Sequence, residues 1–221
     1  MAMGTVNTDA HADTDTNVAH VGSLVQAATA ATSSCHLSDH VVIPGIDGGI
    51  TMPRIGFGVY KVPPQLCEAV SLAALQAGYR HIDCAQLYRS EAEVASALRQ
   101  SSVPRAHVFL TTKIKQWNGG SDDDLYETLL SSVRRLGGSG GAADGESVPA
   151  YVDLFLVHTP RFRGKDSLRQ VWTALERLKE QGRTRAIGVS NFGITHIEEM
   201  KEYAKSWPPS VNQIEVSSTH D

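Results

Sequence analysis

Ile55-Gly56-Phe57-Gly58-Val59-Tyr60-Lys61-Val62-Pro63-Pro64 is the stretch that decides the fold. Residues 55–60 read as a core strand, and the residues after a first strand separate the two common parallel architectures. An open doubly wound sheet places a Gly-rich phosphate loop directly after that strand. Here the glycines lie inside the strand and prolines come after it, so the G-x-G-x-x-G reading fails. The closed eight-stranded barrel is the better expectation.

Working outward, residues 41–43 and 50–52 predict an N-terminal β-hairpin around a Gly-rich turn at Gly45 to Gly49, closed by Pro53. Downstream the chain alternates strands and helices. Pro63 and Pro64 open a helix that Gly78 stops, and a strand follows at His81 to Cys84. Ser90 with Glu93 predicts a capping box for the next helix, running to about Gln100. The strand Val108 to Lys113 precedes a helix from Ser121, whose three aspartates suit a helix N-terminus. The strand Val152 to His158 precedes a helix from about Asp166, which Gly182 stops. The strand Ala186 to Ser190 precedes one capped by Thr195 with Glu198, and a sixth strand is expected at Val211 to Val216. Such alternation means a parallel sheet covered by helices. Gly137 to Val148 breaks the rhythm and reads as a flexible Gly-rich insertion.

Length sharpens the barrel reading. Residues 1–40 carry four aspartates and no Lys or Arg, so the whole formal charge of −4 lies there, and residues 41–221 are neutral. That Ala/Thr/Asp/Ser tail is too poor in apolar surface to order itself, and residues 41–221 form the body. A complete barrel takes roughly 250 residues, about 31 per unit. The body is therefore long enough for about six of eight units, an incomplete α/β barrel of (β/α)8 type. A neutral body argues against nucleic acid or an anionic membrane surface as partner, and no apolar run approaches the roughly 18 residues of a membrane span. The sequence names no protein partner. Cys35, Cys67 and Cys84 form no C-x-x-C pair and read as reduced thiols in a cytoplasmic protein. The tail has neither the basic start of a secretory signal nor the arginines of a mitochondrial one.

In such barrels chemistry sits where strands end and loops begin. Asp83 ends the second strand, with Tyr88 in the loop after it. Lys113 ends the third and His158 the fourth; Ser190 and Asn191 end the fifth, and Gln213 lies in the sixth. Singly, each reads as a solvated loop residue or a packed structural one. Together they bring ionisable groups from three strands to one face. A buried Asp and Lys are expected to pair, because either alone carries a heavy desolvation cost. A lysine beside a tyrosine hydroxyl lowers the tyrosine pKa, which suits Tyr88 to general-acid work with His158 as a hydrogen-bond donor. His81 and Asp83 share one strand face, which leaves a metal-dependent hydrolase as a minor alternative, although no second ligand cluster with metal spacing is present.

The runs 52–58 (MPRIGFG), 78–83 (GYRHID) through Tyr88 and Glu91, 152–158 (VDLFLVH), 185–192 (RAIGVSNF) and 212–215 (NQIE) closely resemble aldo-keto reductases, nearest in flavour to fungal-type ones. The resemblance implies a (β/α)8 barrel that binds NADPH without a Rossmann motif and reduces a small carbonyl substrate. It puts Asp83, Tyr88, Lys113 and His158 on the catalytic tetrad. It puts Ser190, Asn191 and Gln213 on the nicotinamide carboxamide, with Asp83 near the nicotinamide ribose. Tyr60, Trp117 and Thr159 fall in the substrate pocket. Thr159 stands where the family often has Trp, and Trp117 comes two positions later than the family aromatic. The seventh and eighth strands and the basic grip on the adenosine 2′-phosphate lie beyond the residues that match. A C-terminally truncated, non-catalytic barrel fragment is therefore the alternative expectation.

Overall fold

The computed structural model describes residues 35–138, 140–141, 147–148, 150–162 and 165–216; most of the acidic tail expected at 1–40 lies outside them. The hairpin forms as expected. Strands β1 (His40–Ile43) and β2 (Ile50–Pro53) pair antiparallel with Ile43 opposite Ile50, across a 3-10 turn at Ile46–Gly48.

The alternating body comes next. It runs β3 (Phe57–Gly58), α1 (Pro64–Gln76), β4 (His81–Asp83), α2 (Glu91–Gln100), β5 (Phe109–Ile114) and α3 (Asp122–Gly137). Two short strands, β6 (Gly140–Gly141) and β7 (Ser147–Val148), succeed α3. Then come β8 (Val152–Val157), α4 (Lys165–Glu180), β9 (Thr184–Ser190), α5 (Ile194–Glu199) and β10 (Asn212–Gln213). Six strands make one parallel sheet in the order β10-β9-β8-β5-β4-β3. The sheet is curled, and its strand succession is that of six units of a (β/α)8 barrel. Among the described residues no helix is long and apolar enough to cross a membrane.

Two apolar clusters result from the alternation of side chains along each strand. Ile82, Leu110, Phe155, Val157, Ile187 and Val189 face the helices and pack with Trp172, Leu129 and Leu175. Phe109, Leu154, Leu156 and Ala186 have the opposite parity and face inward, where Ile43 and Ile50 of the hairpin cover them. The hairpin thus seals one end of the sheet's concave side. On β9 the inward face needs a glycine: a Cβ on Gly188 would lie 2.6 Å from Val211 O and 2.9 Å from Leu156 Cδ2. Any side chain there would push β10 away from β9.

Local signals set several boundaries. Helix α3 starts as expected: Ser121 Oγ accepts from Asp124 N at 3.1 Å, and Ser121 N donates to Asp124 Oδ2 at 3.0 Å. Gly182, in the left-handed region at φ 67°, stops α4. Other expectations need correction. Ser90 precedes α2 but makes no cap bond, because it is buried and its Oγ lies 3.8 Å from Cys84 Sγ instead. Thr195 sits inside α5, which begins after Gly193, and the Gly193 N–H donates to His196 Nδ1 at 3.1 Å. The two edge strands are shorter than expected, with ladder partners on one side only. Gly137 belongs to α3, and part of the supposed insertion forms the antiparallel pair Gly140–Gly141 with Ser147–Val148.

Candidate active site

Inward parity continues to the C-terminal ends of the strands and there delivers polar residues in place of apolar ones. Above His81 on β4 comes Asp83; above Phe109 and Thr111 on β5 comes Lys113. Beyond Leu154 and Leu156 comes His158, and beyond Ala186 and Gly188 comes Ser190. Asp83 is in register with Thr111, one inward position below Lys113, so the lysine reaches it diagonally across the ladder. The Lys113 ammonium donates to Asp83 Oδ1 at 2.6 Å and to Cys84 O at 3.0 Å. Its side chain is 1% exposed and that of Asp83 20%. A buried cation is tolerable here because both a counter-charge and a carbonyl meet it.

Tyr88 ends a 3-10 turn at Gln86–Tyr88, closed by Arg89 in the left-handed region. Its ring stands edge-on to His158 at 5.8 Å and is tilted against Tyr60 at 5.1 Å. Lys113 Nζ lies 5.2 Å from the centre of that ring, and no hydrogen bond joins it to the Tyr88 hydroxyl. The expected lowering of the tyrosine pKa is therefore not found. Burial pushes the Tyr88 phenol up, and the Asp83 carboxylate adds to the effect. Desolvation is the largest cause, and no hydrogen bond from Lys113 to the hydroxyl opposes it. Tyr88 accordingly holds its proton throughout the neutral range.

His158 moves the other way. Burial first, then the Lys113 and Lys115 ammonium groups, lower its pKa to about 4, so the imidazole is neutral at pH 7 with one N–H to donate. Its Nδ1 is buried without a partner, which leaves Nε2 as the ring nitrogen open to the cleft. A protonated phenol and a neutral imidazole N–H on one wall can together hold a single carbonyl oxygen.

Ser190, Asn191 and Gln213 line the same cleft. Asn191 is left-handed at φ 62°; its Nδ2 donates to His158 O and Ser190 Oγ, each at 3.0 Å. Ser190 Oγ donates to Gln213 O at 2.9 Å, and Gln213 Nε2 reaches Asp83 Oδ2 at 3.3 Å. These bonds engage the amide nitrogens of both side chains, and among the described residues no hydrogen bond engages Asn191 Oδ1 or Gln213 Oε1. That donor and acceptor set fits a planar primary amide of a ligand. Asn in the left-handed region is tolerated, and its bonds to two neighbouring elements hold it there.

All these groups except buried Lys113 line one cleft of about 750 Å³. Tyr60 and Thr159 line it too. Trp117 does not: its ring packs against the core cluster, beside Gly120. The side chains that take its place are Lys115 and Gln116, and Leu87, Arg161, Ile214 and Glu215 complete the rim. Lys115 was legible in principle, since it comes two residues after Lys113 and keeps the inward parity. His81 and Asp83 are spent within the protein, His81 Nε2 on Thr111 Oγ1 at 2.9 Å and Asp83 on Lys113. Among the described residues no group of three potential metal ligands occurs. Cys84, beside Asp83, is buried and its thiol is pushed up to about 12, which makes it inert.

One supporting residue had no sequence signal beyond its place in a motif. Glu91, 3% exposed, opens α2 three residues after Tyr88. It accepts from Thr112 Oγ1 at 2.7 Å, from Ser132 Oγ, and from Arg135 Nε and Nη2 at 3.0 and 2.8 Å. It thereby ties the segment carrying Tyr88 to the strand carrying Lys113.

Comparison with known proteins agrees with this geometry. The aldo/keto reductase family model matches residues 54–221. A glyoxal reductase of Bacillus subtilis is 40% identical over 176 residues, covering 77% of this chain and 56% of that protein. The structure of an aldo/keto reductase from Brucella melitensis superimposes with a TM-score of 0.67 at 35% identity, over 80% of this chain and 64% of that one. The Bombyx mori aldo-keto reductase in complex with NADP gives 0.62 at 29% identity, over 80% and 58%. The chain spans little more than half the length of the curated relatives it matches.

Proposed function

The chain belongs to the aldo/keto reductase family, and on that premise we propose that its cleft reduces an aldehyde or ketone to the alcohol with NADPH. The observation that carries the reading is the buried Lys113–Asp83 pair behind a protonated Tyr88 that faces a neutral His158 across 5.8 Å. NADPH, when bound, supplies the hydride that adds to the carbonyl carbon.

The chain's own groups do the rest. The Tyr88 hydroxyl and the His158 N–H hold the carbonyl oxygen, polarising the C=O bond and fixing its direction. As negative charge develops on that oxygen, Tyr88 donates its proton and the product leaves as the alcohol. Asp83 holds the Lys113 ammonium in place behind the Tyr88 ring. When the cofactor binds, Asn191 and Gln213 would offer acceptor oxygens to its carboxamide, with the Ser190 hydroxyl supporting them, and Asp83 would be available to its ribose. Tyr60 and Thr159 bound the space left for the substrate. Three free cysteines support a reducing compartment, the cytoplasm, as the place of action.

The test monitors NADPH oxidation by the 221-residue protein with glyoxal and simple aldehydes. Tyr88→Phe is expected to lower kcat by at least about a hundredfold. Retention of most activity by that variant, or failure of the protein to oxidise or bind NADPH, overturns the proposal.

A further inference from the structure

The rim of the cleft carries two cations that the reductase chemistry does not use. Lys115 stands one residue beyond β5, with the same inward parity as Lys113, and is close enough to His158 to lower that residue's pKa. Arg161 stands three residues beyond His158, in a loop pinned where the Arg161 N–H donates to Thr159 Oγ1 at 3.3 Å. Both line the same cleft as Tyr88 and His158. Among the described residues neither has a carboxylate partner, whereas Arg105, Lys113, Arg134, Arg135, Arg177, Arg185 and Lys201 all do. Two acids line the cleft. Asp83 is committed to Lys113, and Glu215 is the other, so the two rim cations outnumber the remaining carboxylate.

Unpaired cations in water gain little, but in a concave, partly desolvated site they attract an anion strongly. An arginine fork and a lysine point charge together suit a planar or tetrahedral oxyanion. The cleft lining is polar at Thr159 as well, and Trp117 is not among its lining residues. We propose that the cleft selects carbonyl substrates bearing an anionic group, a carboxylate or phosphate, held by Lys115 and Arg161 while the carbonyl oxygen meets Tyr88 and His158. The inference rests on the reductase reading of this cleft and adds the substrate class.

Two matched pairs test it: 4-carboxybenzaldehyde against 4-methylbenzaldehyde, and glyceraldehyde 3-phosphate against glyceraldehyde, compared by kcat/KM with NADPH. The charged member is expected to be preferred by at least about tenfold in one pair or both, and the pair that shows it identifies the anion. Lys115→Met and Arg161→Met each lower that ratio by about tenfold, while Lys115→Arg restores most of it and raised salt lowers it. A ratio at or below one in both pairs, or a ratio unmoved by either methionine variant, overturns the inference. A readout without turnover separates it from the reductase reading. Calorimetric titration of 4-methylbenzoate against 4-methylbenzamide, with NADP+ present throughout, should show the carboxylate binding about tenfold tighter and that margin lost in Lys115→Met. Equal binding of the two overturns the inference even where aldehydes are reduced. Carboxylate preference in a protein that turns nothing over upholds the anion subsite and sinks the reductase reading alone.

Discussion

Asp83→Asn removes a charge from the centre of this site with almost no change of shape, and the cost can be worked from the geometry. Lys113 and Asp83 are 2.6 Å apart, with side chains 1% and 20% exposed. At that distance two unit charges attract by about 6 kcal/mol at an effective dielectric of about 20, and desolvation of both groups offsets most of it. Removing one partner leaves the other uncompensated, at a typical cost of about 3–5 kcal/mol. A ceiling exists, because an unpaired buried amine can release its proton. For a lysine of ordinary pKa, about 10.4, that costs about 4.6 kcal/mol at pH 7. Asp83→Asn should therefore lower the unfolding free energy by about 3–4 kcal/mol. Lys113→Met should cost less, about 1–2 kcal/mol, because the carboxylate it strands is reached by water and keeps Gln213 Nε2 at 3.3 Å. The double variant should be more stable than Asp83→Asn alone. Urea unfolding monitored by circular dichroism measures all three, provided the m-values agree. The penalty attaches to a charged amine, so the Asp83→Asn deficit should shrink as pH rises from about 7 to about 10. A Lys113→Met cost equal to or above that of Asp83→Asn, or a deficit indifferent to pH, would refute the reasoning and make the pair a matter of shape.

Glu91→Gln keeps the volume but presents an amide to Arg135 and removes the charge that Thr112, Ser132 and Arg135 all address. It should destabilise by about 2–4 kcal/mol, whereas Arg135→Ala, which leaves the buried carboxylate its two hydroxyl donors and lets water into the half-exposed guanidinium site, should cost less, about 1–2 kcal/mol. The same urea assay separates the two, and an equal cost would remove Glu91 as the fixed point of that network. His158 predicts an acid limb. Its folded pKa, about 4, lies below the ordinary 6.5, so between those values the unfolded chain binds a proton that the folded one refuses, and stability falls as pH drops through that window. The residue is only partly buried, and solvent screening reduces the loss to about 1 kcal/mol. Unfolding midpoints at pH 7 and pH 4.5 for wild type and His158→Gln test this; an imidazole NMR titration of His158 near its ordinary pKa would contradict it.

Much of this site was legible in the sequence because its rules are local. Strand ends are set within one chain segment, so Asp83, Lys113, His158 and Ser190 could be placed at the C-terminal ends of their strands before any contact was known. The prolines after residues 55–60 exclude a phosphate loop by covalent geometry alone. The start of α3 was equally plain, because Ser121 and Asp124 need only each other. Misreadings arose where a local signal met a distant competitor. Ser90 carries the letters of a cap, yet the buried thiol of Cys84 claims the space beside its hydroxyl. Trp117 sits at a plausible pocket spacing, yet its partly buried ring packs against the core cluster and is not among the residues lining the cleft.

What the sequence determined by itself was a parallel α/β succession of six units with ionisable residues at the strand ends. Those features come from periodicity and turn chemistry, which act over a few residues. Only the tertiary structure decided the proton states and the companions of the site. The Tyr88 phenol is pushed up and not down because burial and the Asp83 carboxylate both raise it, while the ammonium of Lys113, thirty residues from Asp83 in sequence, is bonded to Asp83 and not to the phenol. Glu91 holds three groups from other elements, and Lys115 with Arg161 shares a rim drawn from two separate strand ends. Desolvation and charge pairing depend on which distant segments exclude water from one point, and no window of consecutive residues contains that information.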